Sequence, residues 1–327
     1  MNKLKKIKPL IIGIGLAGKR HLEAQLNFGN KTGVYTTNPQ TAKELIENKN
    51  VIVFDSLEEG MEWANLVQVC TPDNSHTKFI KMALKKKKAV LSEKPLTTNL
   101  NEAITLQKLA HEYKTPLIVG HNYRLTPTFL EIKKRIEKGE LGQIIKIETT
   151  YLHDMTQYRL ENKERNRQDF LYVGGSHAVD LMLWIIGKKV VSVKAKTGVK
   201  TRSEYDSQEK YQIVLEFSSG ILGKIKLDAS SKRLLNGTDL IVEGKKGQLI
   251  SHNKKDELWF IKNDSKKSQT TRYPNLETLT IPLEVKIVND YLLGKTDSYP
   301  PLPNVDEAVY IIKILSMIQK SASKSLH

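Results

Sequence analysis

Six residues, Gly13-Ile14-Gly15-Leu16-Ala17-Gly18, limit what this chain can fold into more than any other stretch. An apolar run, Pro9 to Ile14, enters them, and a helix-like stretch, Lys19 to Phe28, leaves them. A Gly-x-Gly-x-x-Gly turn between a strand and a helix is the dinucleotide-binding fingerprint in its required context. The first glycine permits the tight turn. The second lets the backbone come close to a pyrophosphate, and the third lets helix and strand pack closely. The helix N-terminus then offers unpaired N–H groups and partial positive charge to phosphates. The plainer alternative is a glycine-rich strand-to-helix turn that holds no ligand.

Around this turn the pattern repeats. Apolar strand candidates at Pro9–Ile14, Gly33–Thr36, Val51–Phe54, Leu66–Cys70, Ala89–Ser92 and Leu117–Gly120 alternate with helical stretches. The helices fall at Lys19–Phe28, Pro39–Glu47, Leu57–Trp63, His76–Lys86 and Asn101–Tyr113. Such alternation predicts a doubly wound parallel sheet with helices on both faces. After Asn122 the rhythm changes. A helix is expected at Thr128–Lys138, a strand at Ile144–Tyr151, a polar loop over 153–169 and a helix at Ser176–Ile186. Extended runs follow at Val190–Thr197, Gln212–Phe217, Ile221–Ala229, Asp239–Glu243 and Gln248–Ser251. Short turns such as Ser218-Ser219-Gly220 argue for a mostly antiparallel sheet. Helices at about Leu283–Leu293 and Asp306–Ser321 close the chain. The expected division is residues 1–122 as a Rossmann domain and 123–327 as an α/β domain.

The chain's 327 residues suffice for two domains, and 39% hydrophobic with 27% charged residues fits a globular protein. No apolar run approaches the ~20 residues of a membrane helix. The basic-then-apolar start imitates a signal peptide, but the apolar part contains the glycine turn and is too broken for one. A single cysteine, Cys70, removes disulfides from consideration, and a cytoplasmic location is expected. The formal net charge is +16, with 52 basic and 36 acidic residues. These charges are scattered. The one dense run, Lys85 to Lys88, closes a helix, where cations complement the dipole. No nucleic-acid motif accompanies it, so nucleic acid is not an expected partner, and an attraction for small anionic substrates stays open.

In an open parallel sheet, ligands bind beyond the carboxyl ends of the strands. That rule selects the glycine turn, then Thr36-Thr37-Asn38, Thr71-Pro72 with His76, Ser92-Glu93-Lys94-Pro95, and His121-Asn122-Tyr123-Arg124. An acidic residue ~20 positions after the glycines marks NAD by holding the ribose hydroxyls. Here Thr36 is neutral, as are Thr37 and Asn38, and Lys43 lies one helical turn on. A 2′-phosphate is tolerated there, so the reading leans to NADP. Lys94, at a strand end, has the chemistry to donate a proton to a carbonyl or hold a hydroxyl; the alternative is a surface lysine in a turn. In Gly174-Gly175-Ser176-His177-Ala178-Val179-Asp180 the imidazole and carboxylate share a helix face. An imidazole oriented by a carboxylate is an acid–base arrangement, and equally a common structural pair. No second histidine stands at metal-ligand spacing.

Taken in order, these motifs resemble the family of glucose–fructose oxidoreductase, inositol dehydrogenase and rhizopine catabolism proteins (Gfo/Idh/MocA). The resemblance also runs through Pro127, Gly139-Glu140-Leu141-Gly142 and Glu243-Gly244-Lys245-Lys246-Gly247, and so covers nearly the whole chain. It implies a Rossmann domain followed by an α/β domain with a large open sheet that mediates homodimer or homotetramer contacts. It implies an NAD(P)-dependent oxidoreductase acting on a sugar, polyol or related hydroxy or keto compound. Catalytic roles fall to Lys94 and His177, with Asp180 orienting the histidine. Cofactor positions are Gly13, Gly15, Leu16, Ala17, Gly18, Thr36, Thr37, Thr71, Pro72, His76, Glu93 and Lys94. Tyr123, Arg124, Tyr158 and His177 are the expected substrate contacts. The bond from Lys94 to Pro95 is often cis in relatives. One position departs. Many dehydrogenases of the family carry an aspartate four residues before the histidine, where this chain has Val173. Asp154, Tyr158 or Asp169 could supply the missing polar group. The departure keeps two alternatives open: a non-catalytic dinucleotide-sensing regulator and an NAD-assisted glycoside hydrolase.

Overall fold

The computed structural model describes residues 3–155, 167–200, 207–231, 237–252, 256–264, 268–274 and 280–324. In chain order the first elements are β1 (Pro9–Ile12), α1 (Leu16–Asn27), β2 (Thr32–Tyr35), α2 (Pro39–Ile46), β3 (Val51–Val53), α3 (Leu57–Trp63) and β4 (Leu66–Val69). They continue with α4 (His76–Lys85), β5 (Ala89–Ser92), α5 (Leu100–Glu112) and β6 (Leu117–Val119). Next come α6 (Pro127–Glu137), β7 (Ile144–Leu152), α7 (Phe170–Val173), α8 (Gly175–Ile186), β8 (Val190–Thr197), β9 (Lys210–Phe217) and β10 (Leu222–Asp228). The remainder is β11 (Gly237–Gly244), β12 (Gly247–His252), β13 (Glu257–Lys262), β14 (Ser268–Arg272), α9 (Thr280–Leu292) and α10 (Val305–Lys324).

The chain divides into two compact units, residues 1–125 with 277–312, and residues 126–276 with 313–327. The first is built on a six-stranded sheet in the order β3-β2-β1-β4-β5-β6, with every neighbouring pair parallel. β1, β4 and β5 are buried along their whole length, which is why their sequences are mostly apolar, with Gln68 and Ser92 the polar exceptions. Residues 280–312, which a single cut after Asn122 leaves with the C-terminal part, pack in this unit. Val285, Val288 and Leu292 of α9 share a core with Ala24, Leu66, Leu91 and Ile118. Each such side chain contributes roughly 1.5–3 kcal/mol by leaving water.

The second unit carries an eight-stranded sheet, β14-β13-β12-β11-β7-β10-β9-β8. It is antiparallel throughout except at β7 and β10, which run parallel. β9 and β10 alternate strictly between buried and outward residues, so one face packs and the other is open. β14 escapes sequence reading because all five of its residues are polar and exposed. Among the described residues no helix is long and apolar enough to cross a membrane.

The glycine turn explains how β1 and α1 meet. α1 begins at Leu16, three residues before the sequence pattern suggests, because it starts inside the turn itself. An ideal Cβ on Gly18 would lie 2.0 Å from the Gly13 carbonyl oxygen. Backbone cannot yield to that contact as a side chain would. Gly18→Ala is therefore expected to lower unfolding free energy by about 3 kcal/mol or more, checked by urea unfolding.

Candidate active site

At the end of β1 the backbone of Gly13 adopts φ +88°, a conformation that L side chains rarely take. The chain then enters α1 with Gly15 at the N-cap, and no side chain caps the helix. The first-turn N–H groups are thus left to an external acceptor. A Cβ on Gly15 would meet nothing within 4 Å, so the space over this helix end is open. This arrangement fits a pyrophosphate. Leu16, 65% exposed, stands beside it.

The residues that end β2, Thr36, Thr37 and Asn38, carry no carboxylate. The Thr36 hydroxyl accepts from the Asn38 N–H at 3.2 Å. Asn38 caps α2, its Oδ1 accepting from the Gln40 and Thr41 N–H groups at 3.0 and 3.1 Å. Its side chain is therefore committed to the backbone, while Thr37 stays exposed.

After β4, Thr71 and Pro72 lead into a 3-10 turn at Asp73–Ser75. His76 is 1% exposed, and its ring nitrogens lie 2.8 Å from the Thr71 and Pro95 carbonyl oxygens. Its imidazole thus staples two strand-end loops together instead of presenting a ring to a ligand. Lys94 follows β5 and joins Pro95 through a cis peptide. Glu93 accepts from the Lys94 N–H at 3.3 Å and faces His21 Nε2 at 3.2 Å. Burial pushes the Glu93 carboxyl up, but the His21 hydrogen bond and the Lys94 charge hold it below the usual range. His121, beyond β6, is driven well below the ordinary imidazole range by burial and then by Arg124 and Lys94.

Arg124 is 3% exposed, and its Nη1 lies 3.1 Å from Glu307 Oε1. Glu307 in turn accepts from the Asn304 N–H at 3.2 Å, so the guanidinium secures the start of α10. This is a structural engagement for a residue that the sequence reading assigns to substrate. Tyr123 is half-buried beside it.

In the second unit His177 lies in the first turn of α8, 5% exposed, and Asp180 on the same helix is fully buried. The Tyr151 ring stacks near-parallel to His177, with centroids 5.9 Å apart at 13°, and against His153 at 4.4 Å and 27°. Gly174 makes room for this packing: a Cβ there would sit 2.7 Å from both Tyr151 and Phe170 ring atoms. Tyr151 and His153 carry no sequence signal, because the end of a strand gives no motif. Asp169, a candidate for the role vacated at Val173, is already engaged. It caps α7 through the Leu171 N–H at 2.9 Å and accepts the Tyr211 hydroxyl at 2.9 and 2.8 Å. Burial, then Asp169, pushes the Tyr172 phenol up to about 12, and the same causes raise Tyr211 further. Asp154 is exposed and bridges to Ser230 through the backbone. Tyr158 lies outside the described residues. Among the described residues no group of three or more His, Cys, Asp or Glu is arranged to hold a metal ion.

A six-stranded parallel sheet with an uncapped glycine turn, joined to a unit built on an open eight-stranded sheet, defines a two-part dinucleotide-binding oxidoreductase architecture. The chain belongs to the Gfo/Idh/MocA oxidoreductase family. The family's NAD-binding Rossmann-fold model matches residues 7–121, and its C-terminal alpha/beta-domain model matches 133–326. The inositol 2-dehydrogenase of Rhizobium meliloti is 25% identical over 261 residues, 75% of each chain. The scyllo-inositol 2-dehydrogenase (NADP(+)) of Bacillus subtilis is 28% identical over 260 residues, 76% of this chain and 70% of its own. The chain spans 57%, 75% and 63% of the lengths of three curated relatives it matches. Among solved structures, the WlbA dehydrogenase of Bordetella pertussis in complex with NADH and UDP-GlcNAcA shares the fold. Its TM-score is 0.86 at 20% identity, over 99% of this chain and 98% of that one.

The glycine turn separates packing from binding. Gly15→Ala has an allowed backbone and open space, so its thermal midpoint should match the wild type. The added methyl occupies the approach to the helix N-terminus, and NADH or NADPH affinity should fall at least about tenfold, read by titration calorimetry.

Proposed function

We propose that the chain is an NAD(P)-dependent dehydrogenase acting on a sugar, polyol or related hydroxy or keto compound. The observation that carries this reading is the uncapped N-terminus of α1 over Gly15, with Lys94 at the end of β5 in the same sheet. Nicotinamide, when bound, supplies the hydride acceptor or donor. Gly13, Gly15, Leu16, Ala17 and Gly18 hold the pyrophosphate through backbone N–H groups and close approach. Thr71, Pro72 and Glu93 border the same ligand, with His76 acting through the loops it joins. The Lys94 ammonium polarises the substrate oxygen and stabilises charge developing there. His177 takes the hydroxyl proton in oxidation and returns it in reduction, and Asp180, one turn along the same face, orients its ring.

We infer a preference for NADP. The end of β2 offers hydroxyl and amide groups and no carboxylate to repel a 2′-phosphate, and one inositol dehydrogenase relative bears NADP(+) in its name. The open face of the eight-stranded sheet supports a homodimer or homotetramer. Ile241, Ile250 and Trp259 stand in register across β11, β12 and β13 on that face, and Val214 and Leu222 are 38% and 44% exposed on it. We further infer a cytoplasmic setting, where a sole buried thiol such as Cys70 stays reduced.

Two measurements test the reading on a panel of inositols, hexoses and sugar acids with either dinucleotide. Lys94→Ala should lose ~100-fold or more in turnover while its dinucleotide affinity stays within about threefold. Unchanged turnover would refute the assigned role. Thr36→Asp should shift the affinity ratio from NADPH toward NADH; an unmoved ratio would place 2′-phosphate selection elsewhere.

A further inference from the structure

Behind Lys94 the first unit holds a chain of buried polar groups that no sequence motif announces. Glu284 of α9 is 1% exposed, as is His21 of α1, and both lie by Glu93. His21 Nε2 is 3.2 Å from Glu93 Oε1 and 3.9 Å from Glu284 Oε1. Its other nitrogen, Nδ1, lies 2.8 Å from Gln68 Nε2. Gln68 Oε1 accepts from Gln25 Nε2 at 2.9 Å, and Gln25 Oε1 accepts from Asn30 and Asn289 at 2.8 and 3.0 Å. This order of amides makes Gln68 a donor to Nδ1. Nδ1 is therefore the acceptor nitrogen, and the ring proton sits on Nε2, facing the two carboxyl groups.

Space for the second carboxyl is built in. A Cβ on Gly120 would lie 2.7 Å from Glu284 Oε1, so only glycine at the end of β6 admits the Glu284 head group. Among the described residues neither Glu284 oxygen has a hydrogen-bond partner. A single Nε2 proton cannot serve two carboxylates, and the shorter contact goes to Glu93.

We propose that His21 is a positioning residue for Lys94, clamping the Glu93 carboxylate so that it holds the Lys94 main chain and favours the charged amine. His21 donates to Glu93, Glu93 accepts the Lys94 N–H, and the Glu93 charge and the Lys94 charge stabilise each other. Glu284 fills the space against Gly120 as an un-ionised acid. Burial, then the Glu93 charge, raises its pKa well above the ordinary carboxylate range. The other titratable or charged groups acting on this cluster are Cys70, His76, His121 and Arg124. All are present in both proteins compared below.

Thermal unfolding of the full-length wild type and Glu284→Gln across pH 5 to 8.5 tests the buried acid without reference to catalysis. Between the ordinary glutamate pKa of about 4.3 and the raised native one, the native state binds the extra proton, so wild-type stability falls as pH rises. Glutamine has no such proton. The gap between the two midpoints should grow steadily in favour of Glu284→Gln from pH 5 to 8.5. A constant gap, or one growing in favour of the wild type, overturns the assignment by showing Glu284 ionised and paired. The positioning step rests on the dehydrogenase reading and is tested on turnover. His21→Phe should lower turnover and move the alkaline limb of its pH profile to lower pH. Glu284→Gln, which keeps an uncharged head group in the same space, should leave the limb in place. An unmoved limb in His21→Phe overturns positioning. Absence of turnover in the wild type would instead strike the dehydrogenase reading and leave the unfolding result to stand on its own. Ring 15N shifts of His21 supply the same independence for the tautomer: protonated Nε2 supports the clamp, and protonated Nδ1 alone overturns it.

Discussion

A missing methyl group at Gly18 decides where the first helix can begin. With the Gly13 carbonyl 2.0 Å from where a Cβ would stand, α1 abuts the end of β1 at a distance open to no other residue. That contact seats the helix N-terminus over the carboxyl edge of the sheet. Its first-turn N–H groups, uncapped by any side chain, then face outward as an anion site. The remaining strand ends, at Thr36, Thr71 and Lys94, are brought to the same edge by the parallel pairing that β1 starts.

The second constraint is the cost of buried charge. Three imidazoles, His21, His76 and His121, and the Glu284 carboxyl are buried near Lys94, and Glu93 is half-buried there. A carboxylate deprived of water must find partners or take up a proton. Glu93 takes the first course through His21 and the Lys94 N–H, and Glu284 takes the second. In the other unit Asp169 takes the first, using Tyr211 and the start of α7. Its engagement there leaves the Val173 departure to be met by other groups, and the Tyr151 ring, itself stacked on His153, packs beside the His177 ring.

Much of this was legible in the sequence because it is local. The glycine turn, the alternation of strands and helices, the strand end at Lys94 and the helix carrying His177 and Asp180 are all patterns within a few residues. What was hidden is long-range. Nothing near Asn289 foretells its bond to Gln25, 264 residues away, or that α9 returns to cover the first sheet. Arg124 looks like a ligand contact by position, and only the fold reveals Glu307 as its partner. His76 likewise sits at a strand end, yet its ring is occupied by two carbonyls. β14 lacks any apolar alternation, so its pairing with β13 had no sequence signal.

Titration calorimetry of the full-length protein with NADPH and with NADH bears most directly on the whole account. One saturable site per chain for at least one of them is the predicted result. Absence of saturable binding for both would contradict it, since every role given to Lys94, Glu93 and His177 begins from a dinucleotide held at the first glycine turn.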